Sequence, residues 1–193
     1  PAYDQALASI FDDLVAQPEA GDRTALAAAI AQLHELLQAR KETYAARRQN
    51  IIAILTLTEL RHLLTVGIAG GLPVSETALA LGREAARREV AMVPAALETE
   101  PMGLQFGILA DIEPTSRFTI LRRGERASVA INPFRTDGHP ATPVGIAMVT
   151  AAEEAVATHQ RAAEAAWQAA LKGPAAAAAV RALLAETPEN PPG

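Results

Sequence analysis

Apolar residues recur at helical spacing at both ends of the chain and in alternation near its middle. In the N-terminal part, leucine and isoleucine return every third or fourth residue, which predicts helices at 2–16 and 23–50. Near the C-terminus, the stretches 145–171 and 174–186 are rich in alanine, which favours helix. Glycine and proline separate these stretches. The pattern therefore predicts a mainly α-helical chain with long flanking helices.

Between residues 55 and 98 the pattern predicts three shorter helices. The first carries leucines on one face, and glycines at 67, 70 and 71 end it. The second runs from Ser75 to Leu81, and we expect Gly82 to end it, because glycine tolerates the left-handed conformation of a tight turn. The third begins near Glu84. Two short helices joined by a glycine turn predict a helix-turn-helix.

Beyond Gly103 the apolar positions alternate with polar ones, which is the pattern of a half-buried β-strand. Three stretches show it, at 104–112, 117–121 and 126–132. The sequence RRGE at 122–125 is typical of the turn between two strands of a hairpin. We expect these strands to form one small antiparallel sheet.

Together the elements predict a winged helix-turn-helix core with a small antiparallel β-sheet. The predicted regions are an N-terminal helical arm at 1–50, a winged-helix-like domain at 51–135, C-terminal helices at 144–186 and a polar tail at 187–193. The apolar stripes of the flanking helices exceed what one small winged helix could cover. We therefore expect a homodimer whose interface uses 23–50 and 145–186.

Four motifs in this order carry a family resemblance. A helix reads LTLTELRHLL, the next segment reads GGLPVSETALALG, a further helix ends in ALE, and an arginine-bearing hairpin ends in VAINP. Over 55–133 the chain resembles the MarR-type regulator family, which has an LTxxQ/ExxLL helix, a VSELAxxLG helix, a reading helix ending in LE and a wing closing in a V-x-L-T-P strand. Two departures stand out. The reading helix has REAARREV at 83–90 followed by Pro94, and the wing lacks the family's Asp-Arg-Arg.

The resemblance implies a dimeric, DNA-binding transcriptional regulator of the winged-helix type. A small molecule could tune it by binding between the winged helix and the long helices. The helix that would enter the major groove of double-stranded DNA carries Arg83, Arg87 and Arg88. The wing that would lie beside the phosphates carries Arg122, Arg123 and Arg126. Arginine suits both places because it can donate two hydrogen bonds to guanine and can neutralise phosphate.

Two other interpretations remain open. Arg87 and Arg88 could pair with Glu84 and Glu89 as a solvated helix face. The whole chain could instead be a non-enzymatic helical assembly or scaffold protein, which uses a degenerate winged helix for protein–protein contacts. A continuous positive surface around Arg87 and Arg122 would favour DNA binding, whereas an acidic or apolar surface would favour assembly.

Composition and net charge further restrict the classes of protein to which the chain could belong. A net charge of -5 argues against a general nucleic-acid coat, although a local basic surface could still exist. The lack of cysteine excludes disulfides and thiolate chemistry and fits a cytoplasmic protein. No uninterrupted apolar run reaches the roughly 18 residues of a membrane span, so we expect no membrane insertion. The N-terminus also lacks the pattern of a signal peptide.

The sequence contains no convincing catalytic or cofactor-binding motif, so we expect no enzyme activity, no metal and no cofactor. The histidines do not share a helix turn with a second metal ligand; they are His34, His62, His139 and His159. The glycines at 67, 70 and 71 lack the Lys-Ser/Thr of a phosphate-binding loop. Asp137 and His139 lie in a stretch that predicts a turn, with a fragment of a catalytic site as the alternative.

Overall fold

The computed structural model describes residues 2–17, 22–47, 50–99, 103–112, 114, 117–131 and 148–187. The helices in this part of the chain are α1 (Ala2–Ala16), α2 (Arg23–Arg47), α3 (Leu57–Val66), α4 (Glu76–Thr99), α5 (Glu153–Ala169) and α6 (Gly173–Glu186). The strands are β1 (Ile51–Thr56), β2 (Leu104–Leu109), β3 (Phe118–Arg123), β4 (Arg126–Ile131) and β5 (Met148–Thr150). The predicted mainly helical class with a small amount of sheet is confirmed. No helix among these residues combines the length and the apolar composition needed to cross a membrane.

Helix α4 lies at the centre of the structure, and both α1 and α6 pack against it. Its buried residues are mostly small, and they are Ala78, Gly82, Ala85, Ala86, Val90, Pro94 and Leu97. Small side chains let neighbouring helices approach closely. The main core joins this helix to α3, β2 and α6 through Leu60, Leu64, Val90, Leu97, Ile108, Ala176, Ala177, Val180 and Leu183.

The two helices predicted in the N-terminal part are present, and they pack against each other, with α1 also packed against α4. Their shared core is Phe11, Leu14, Leu26 and Ile30. The two helices run antiparallel, because Lys41 late in α2 forms an ion pair with Asp4 early in α1. The start of α2 is capped by Asp22, whose carboxylate accepts from the backbone N–H groups of Thr24 and Ala25 at 3.0 Å each.

The end of α1 is fastened to the start of α4 by one carboxylate. Asp13 accepts hydrogen bonds from the backbone N–H and the Oγ–H of Ser75, both at 2.7 Å. Since these bonds favour the charged form, they hold the pKa of the Asp13 carboxyl below its ordinary value. The charged Asp13 carboxylate therefore contributes its full stabilisation at a pH above the pKa that this carboxyl has in the unfolded chain. The stabilisation is lost as the pH falls through the lower pKa that the carboxyl has in the folded chain.

The predicted helix-turn-helix is wrong, because residues 76–99 form one continuous helix. The expected turn at Gly82 does not occur, and the helix also continues through Pro94. At Gly82 the missing side chain permits close packing, since a Cβ there would lie 3.2 Å from the backbone nitrogen of Ala69 and 3.3 Å from Ile10 Cδ1. Glycine serves turns and close approaches alike, and at this position it serves a close approach.

The single antiparallel sheet expected from 104–112, 117–121 and 126–132 is wrong as well. Strand β2 pairs in parallel with β1, with Ile51 opposite Leu104 and Thr56 opposite Leu109. Strands β3, β4 and β5 form a separate antiparallel sheet in that order. The difference arises from the run IIAILT at 51–56, which is rich in β-branched residues and offers β2 a strand partner that the predicted elements left out.

The hairpin itself is confirmed, with small shifts in its boundaries. Strand β3 extends through Arg123, and the turn consists of Gly124 and Glu125. Gly124 has a φ of 59°, as the first residue of a two-residue hairpin turn requires. The helix predicted from 145 begins later, at Glu153, because residues 148–150 pair with β4 as strand β5. Residues 132–147, with Asp137 and His139, and the tail 188–193 lie outside the described residues.

Gly67 provides a direct test of the close approach between the end of α3 and α4. It has a φ of 73° and a ψ of -174°, a conformation nearly restricted to glycine. A Cβ there would lie 2.6 Å from the backbone nitrogen of Arg83. We expect Gly67→Ala to lower the free energy of unfolding by more than about 2 kcal/mol in urea denaturation.

The matched control is Gly71→Ala, because a Cβ at Gly71 meets nothing within 4 Å. This variant should change the free energy of unfolding by less than about 0.5 kcal/mol. Equal losses in the two variants would contradict close packing at Gly67.

Candidate functional site

The arginines predicted to lie on a DNA-reading helix have separate surroundings in α4. Arg87 is half-buried, and its guanidinium donates to two backbone carbonyls at the end of α6. Nη1 lies 2.6 Å from the oxygen of Thr187, and Nη2 lies 3.1 Å from the oxygen of Leu184. The last carbonyls of a helix have no partner within that helix, so Arg87 caps α6.

Arg88 pairs with a carboxylate on a solvated helix face, which is the alternative to DNA contact that the sequence left open. It is exposed and forms an ion pair with Glu84, one turn earlier on the same helix. Arg83 is half-buried and lies beside Gly67, at the close approach between α3 and α4. In α4, therefore, one of the predicted arginines holds α6 and another is paired with a carboxylate.

The arginines of the predicted wing do lie together, at the exposed tip of the β3–β4 hairpin. Arg123 is directly opposite Arg126 in the strand register. Arg122 points to the other face of the sheet and donates to Gln160 Oε1 of α5 at 2.6 Å. Like charges directly opposite each other destabilise a strand pair, so this tip concentrates positive charge at a cost.

The three-stranded sheet that carries this tip is anchored on one face. Phe118 meets His159 of α5 edge to face, with 4.9 Å between the ring centroids. At the base of the hairpin, Arg117 forms an ion pair with Glu59 at 2.7 Å, which ties the sheet to the start of α3. The opposite face exposes Leu121 and Val149. The hairpin is thus held at its base, with its arginines in solvent.

Strand β1, which the sequence interpretation missed, has one edge without a strand partner among the described residues. The backbone N–H of Ile51 donates to the oxygen of Gly103 at 2.7 Å. In a parallel pair with this register, alternate residues direct both backbone groups toward β2. Ile52 and Ile54 must then direct their N–H and C=O groups away from β2.

The edge of β2 that faces away from β1 is covered by another segment of the chain. Ile108 of β2 and Leu171 exchange two backbone hydrogen bonds, at 2.9 and 2.8 Å. Among the described residues, the outer edge of β1 is closed at its C-terminal end, where the N–H of Thr56 donates to Glu59 Oε2 at 3.1 Å in the capping box of α3. Ile52 and Ile54 therefore present four outward-facing backbone groups.

The open edge lacks the features that normally protect an edge strand. Natural edges carry charged side chains, prolines or bulges, or are covered by another segment. The sequence from Asn50 to Thr58 has no charged residue and no proline, and β1 pairs with β2 without a bulge. Ile52 is 62% exposed. A short apolar run of this kind also fits a buried helix segment, which is why periodicity alone did not identify it.

One pair of titratable side chains joins helices α4 and α6. Arg181 of α6 donates two hydrogen bonds to the carboxylate of Glu98 in α4, at 2.8 and 2.7 Å, and these bonds lower the pKa of Glu98. Within the described residues, no group of three or more histidine, aspartate or glutamate side chains is placed to hold a metal ion. The expected absence of a metal, a cofactor and an enzymatic reaction stays a prediction.

The chain matches no protein family model, no curated protein and no solved structure. The resemblance to MarR-type regulators therefore stays a prediction from the quoted motifs. Function must be inferred from the surfaces of this chain itself.

The capping role of Arg87 predicts a stability effect that Arg88 lacks. Arg87→Ala removes charged donors from the carbonyls of Leu184 and Thr187, so the free energy of unfolding should fall by about 1–3 kcal/mol. Arg88→Ala removes an exposed ion pair and should change it by less than about 0.5 kcal/mol. Urea denaturation followed by circular dichroism measures both. Indistinguishable curves for the two variants would show that Arg87 does not cap α6.

Proposed function

We propose that this chain is a non-enzymatic assembly protein that binds a partner by strand addition at β1. In strand addition, an extended segment of the partner pairs with an exposed sheet edge, and main-chain hydrogen bonds provide the affinity. The observation that carries the proposal is the open edge of β1, where Ile52 and Ile54 direct their backbone groups outward. The cytoplasmic location expected from the lack of cysteine belongs to the same proposal.

The size of the sheet supports this role. Parallel strands normally lie in larger sheets that are covered on both faces. In the part of the chain that the structure describes, β1 and β2 form a sheet of two strands, and Ile108 and Leu109 of β2 are buried, which anchors this sheet in the core. A strand held firmly from one side is a preorganised template, so a partner strand loses less of its binding energy to ordering the site.

The helices predicted to form a dimer interface provide less support for association. In α2, Leu26 and Ile30 are buried against α1, and Leu36 remains 50% exposed. In α6, Val180 and Leu183 are buried in the main core. The parts of the predicted stripes in α1-facing α2 and in α6 are thus covered within the chain, whereas α5 has no buried residue. Homodimerisation itself stays a prediction.

A peptide that can only form a strand tests the proposal. The probe is a fluorescein-labelled peptide of alternating valine and threonine with terminal lysines. At a dilute protein concentration it should bind the chain, and Ile54→Pro should abolish the binding measured by fluorescence anisotropy. Proline removes an outward-facing N–H and leaves the hydrogen bonds between β1 and β2 in place.

Two controls separate strand pairing from other causes. Ile112→Pro places the same substitution at an exposed isoleucine outside the strands, and it should leave peptide binding unchanged. A probe that is N-methylated at alternate residues lacks donors along one edge and should bind much more weakly. The proposal fails if the unmodified probe does not bind, or if Ile54→Pro binds it as tightly as the wild type.

A second candidate function is nucleic-acid binding, and the arginine cluster at the hairpin tip favours it. Contact with phosphates requires positive charge at an exposed site and no reading of bases. Since α4 is a core helix, such contact would depend little on DNA sequence. The net charge of -5 opposes it at long range.

Salt dependence tests this second candidate. Each phosphate contact adds a slope of about 0.9 to the fall of log affinity with log salt. The double variant Arg123→Ala/Arg126→Ala should therefore flatten the dependence for double-stranded DNA by up to roughly 2. Arg88→Ala removes one exposed arginine elsewhere and should leave the slope unchanged. Absence of salt-sensitive DNA binding by the wild type at low ionic strength would remove this candidate.

A further inference from the structure

We propose that the strand that pairs with β1 is β1 of a second copy, antiparallel about a two-fold axis at Ala53. The inference rests on the strand-addition function proposed above and names the partner. It requires a strand whose open edge can pair with itself in one favoured register, and the backbone directions of β1 meet that requirement.

The register follows from the groups that the edge presents. In an antiparallel pair, two residues of a hydrogen-bonded pair exchange both of their N–H and C=O bonds. With the axis at Ala53, Ile52 of each copy lies opposite Ile54 of the other. The two pairs then use all four outward-facing groups of each copy, and none of those groups is left unpaired.

Moving the axis by one residue gives a poorer pair in either direction. An axis at Ile54 would place Ile52 opposite Thr56, whose N–H already donates to Glu59. An axis at Ile52 would place Ile54 opposite the polar side chain of Asn50. Either shifted axis sets one isoleucine of each copy opposite its own counterpart but leaves the other opposite Thr56 or Asn50. With the axis at Ala53, both Ile52 and Ile54 of each copy lie opposite an isoleucine, and such cross-strand pairs stabilise a sheet.

Exposure and charge favour the same arrangement. Ile52 is 62% exposed in the single chain and would pack against Ile54 of the second copy. Because 50–58 has no charged residue, no like charges lie opposite each other.

The product would be a closed dimer with a continuous four-stranded sheet in the order β2, β1, β1, β2. A two-fold contact uses the same surface on both copies, so neither β1 edge stays open for further association. Two six-residue strands form a contact smaller than the roughly 1,600 Å² of a standard stable interface. We therefore expect dissociation in the micromolar range.

Cysteine cross-linking tests the register in a chain that has no cysteine of its own. At the axis, the two Ala53 residues would form a non-hydrogen-bonded pair with Cα atoms about 4.5 Å apart, within the span of a disulfide. At a protein concentration above the micromolar range, Ala53→Cys should form a disulfide-linked dimer at least about tenfold faster than Met92→Cys under mild oxidation. Met92 is an exposed control on α4.

Exposed positions on the strand provide a second measurement that does not alter the half-buried Ala53. In the proposed register, two copies of Ile52→Cys would lie diagonally, beyond the roughly 7 Å that a disulfide spans between Cα atoms. Neither Ile52→Cys nor Ile54→Cys should cross-link rapidly alone, but their mixture should give a mixed dimer. Faster cross-linking of Ile52→Cys alone than of the mixture would overturn the register at Ala53.

Self-pairing and strand addition can fail separately. If Ala53→Cys and the mixture cross-link no faster than Met92→Cys, and sedimentation shows a monomer well above the micromolar range, self-pairing is wrong. The valine–threonine peptide then decides what remains. Binding of the peptide that Ile54→Pro abolishes would leave strand addition standing with a different partner, and absence of binding would remove both proposals.

Discussion

Close packing around α4 is the constraint on which the rest of the structure depends. Its buried residues are mostly small, and Gly82 lets the connection after α3 approach within contact distance. Helices α1 and α6 can both lie against α4 because these positions carry no large side chains. Its polar residues then act at the margins of the core, as Arg87 does where it caps α6. The segment that most suggests DNA recognition in the sequence is thus the central helix of the fold.

The same packing determines which surface is available to a partner. Helices α3 and α4 connect β1 to β2, so both strands run in the same direction. The turn between α5 and α6 covers the far edge of β2 at Leu171, and Ile108 is fully buried there. Strand β1 lies at the margin, where it pairs with β2 along one edge and has no strand partner among the described residues along the other. Its function as proposed follows from that position, since an open, uncharged strand edge is a site for another strand.

Local features of the fold could be predicted from the sequence, and features that depend on distant partners could not. The helical stripes of α1 and α2 and the turn at Gly124 are set by neighbouring residues. Gly82 could serve a turn or a close contact, and only the position of Ala69 in the folded chain decides between them. The exposed arginines of the hairpin were identified from a short motif. The role of Arg87 was not, because its acceptors lie 97 and 100 residues away in sequence.

Amide hydrogen exchange along β1 in the dilute, monomeric chain tests the open edge most directly. The N–H groups of Ala53 and Leu55 point toward β2 and should be protected, whereas those of Ile52 and Ile54 point outward and should exchange rapidly. We predict this alternation from residue to residue. Equal protection of all four amides would contradict it, because the outer edge of β1 would then already be covered within the single chain.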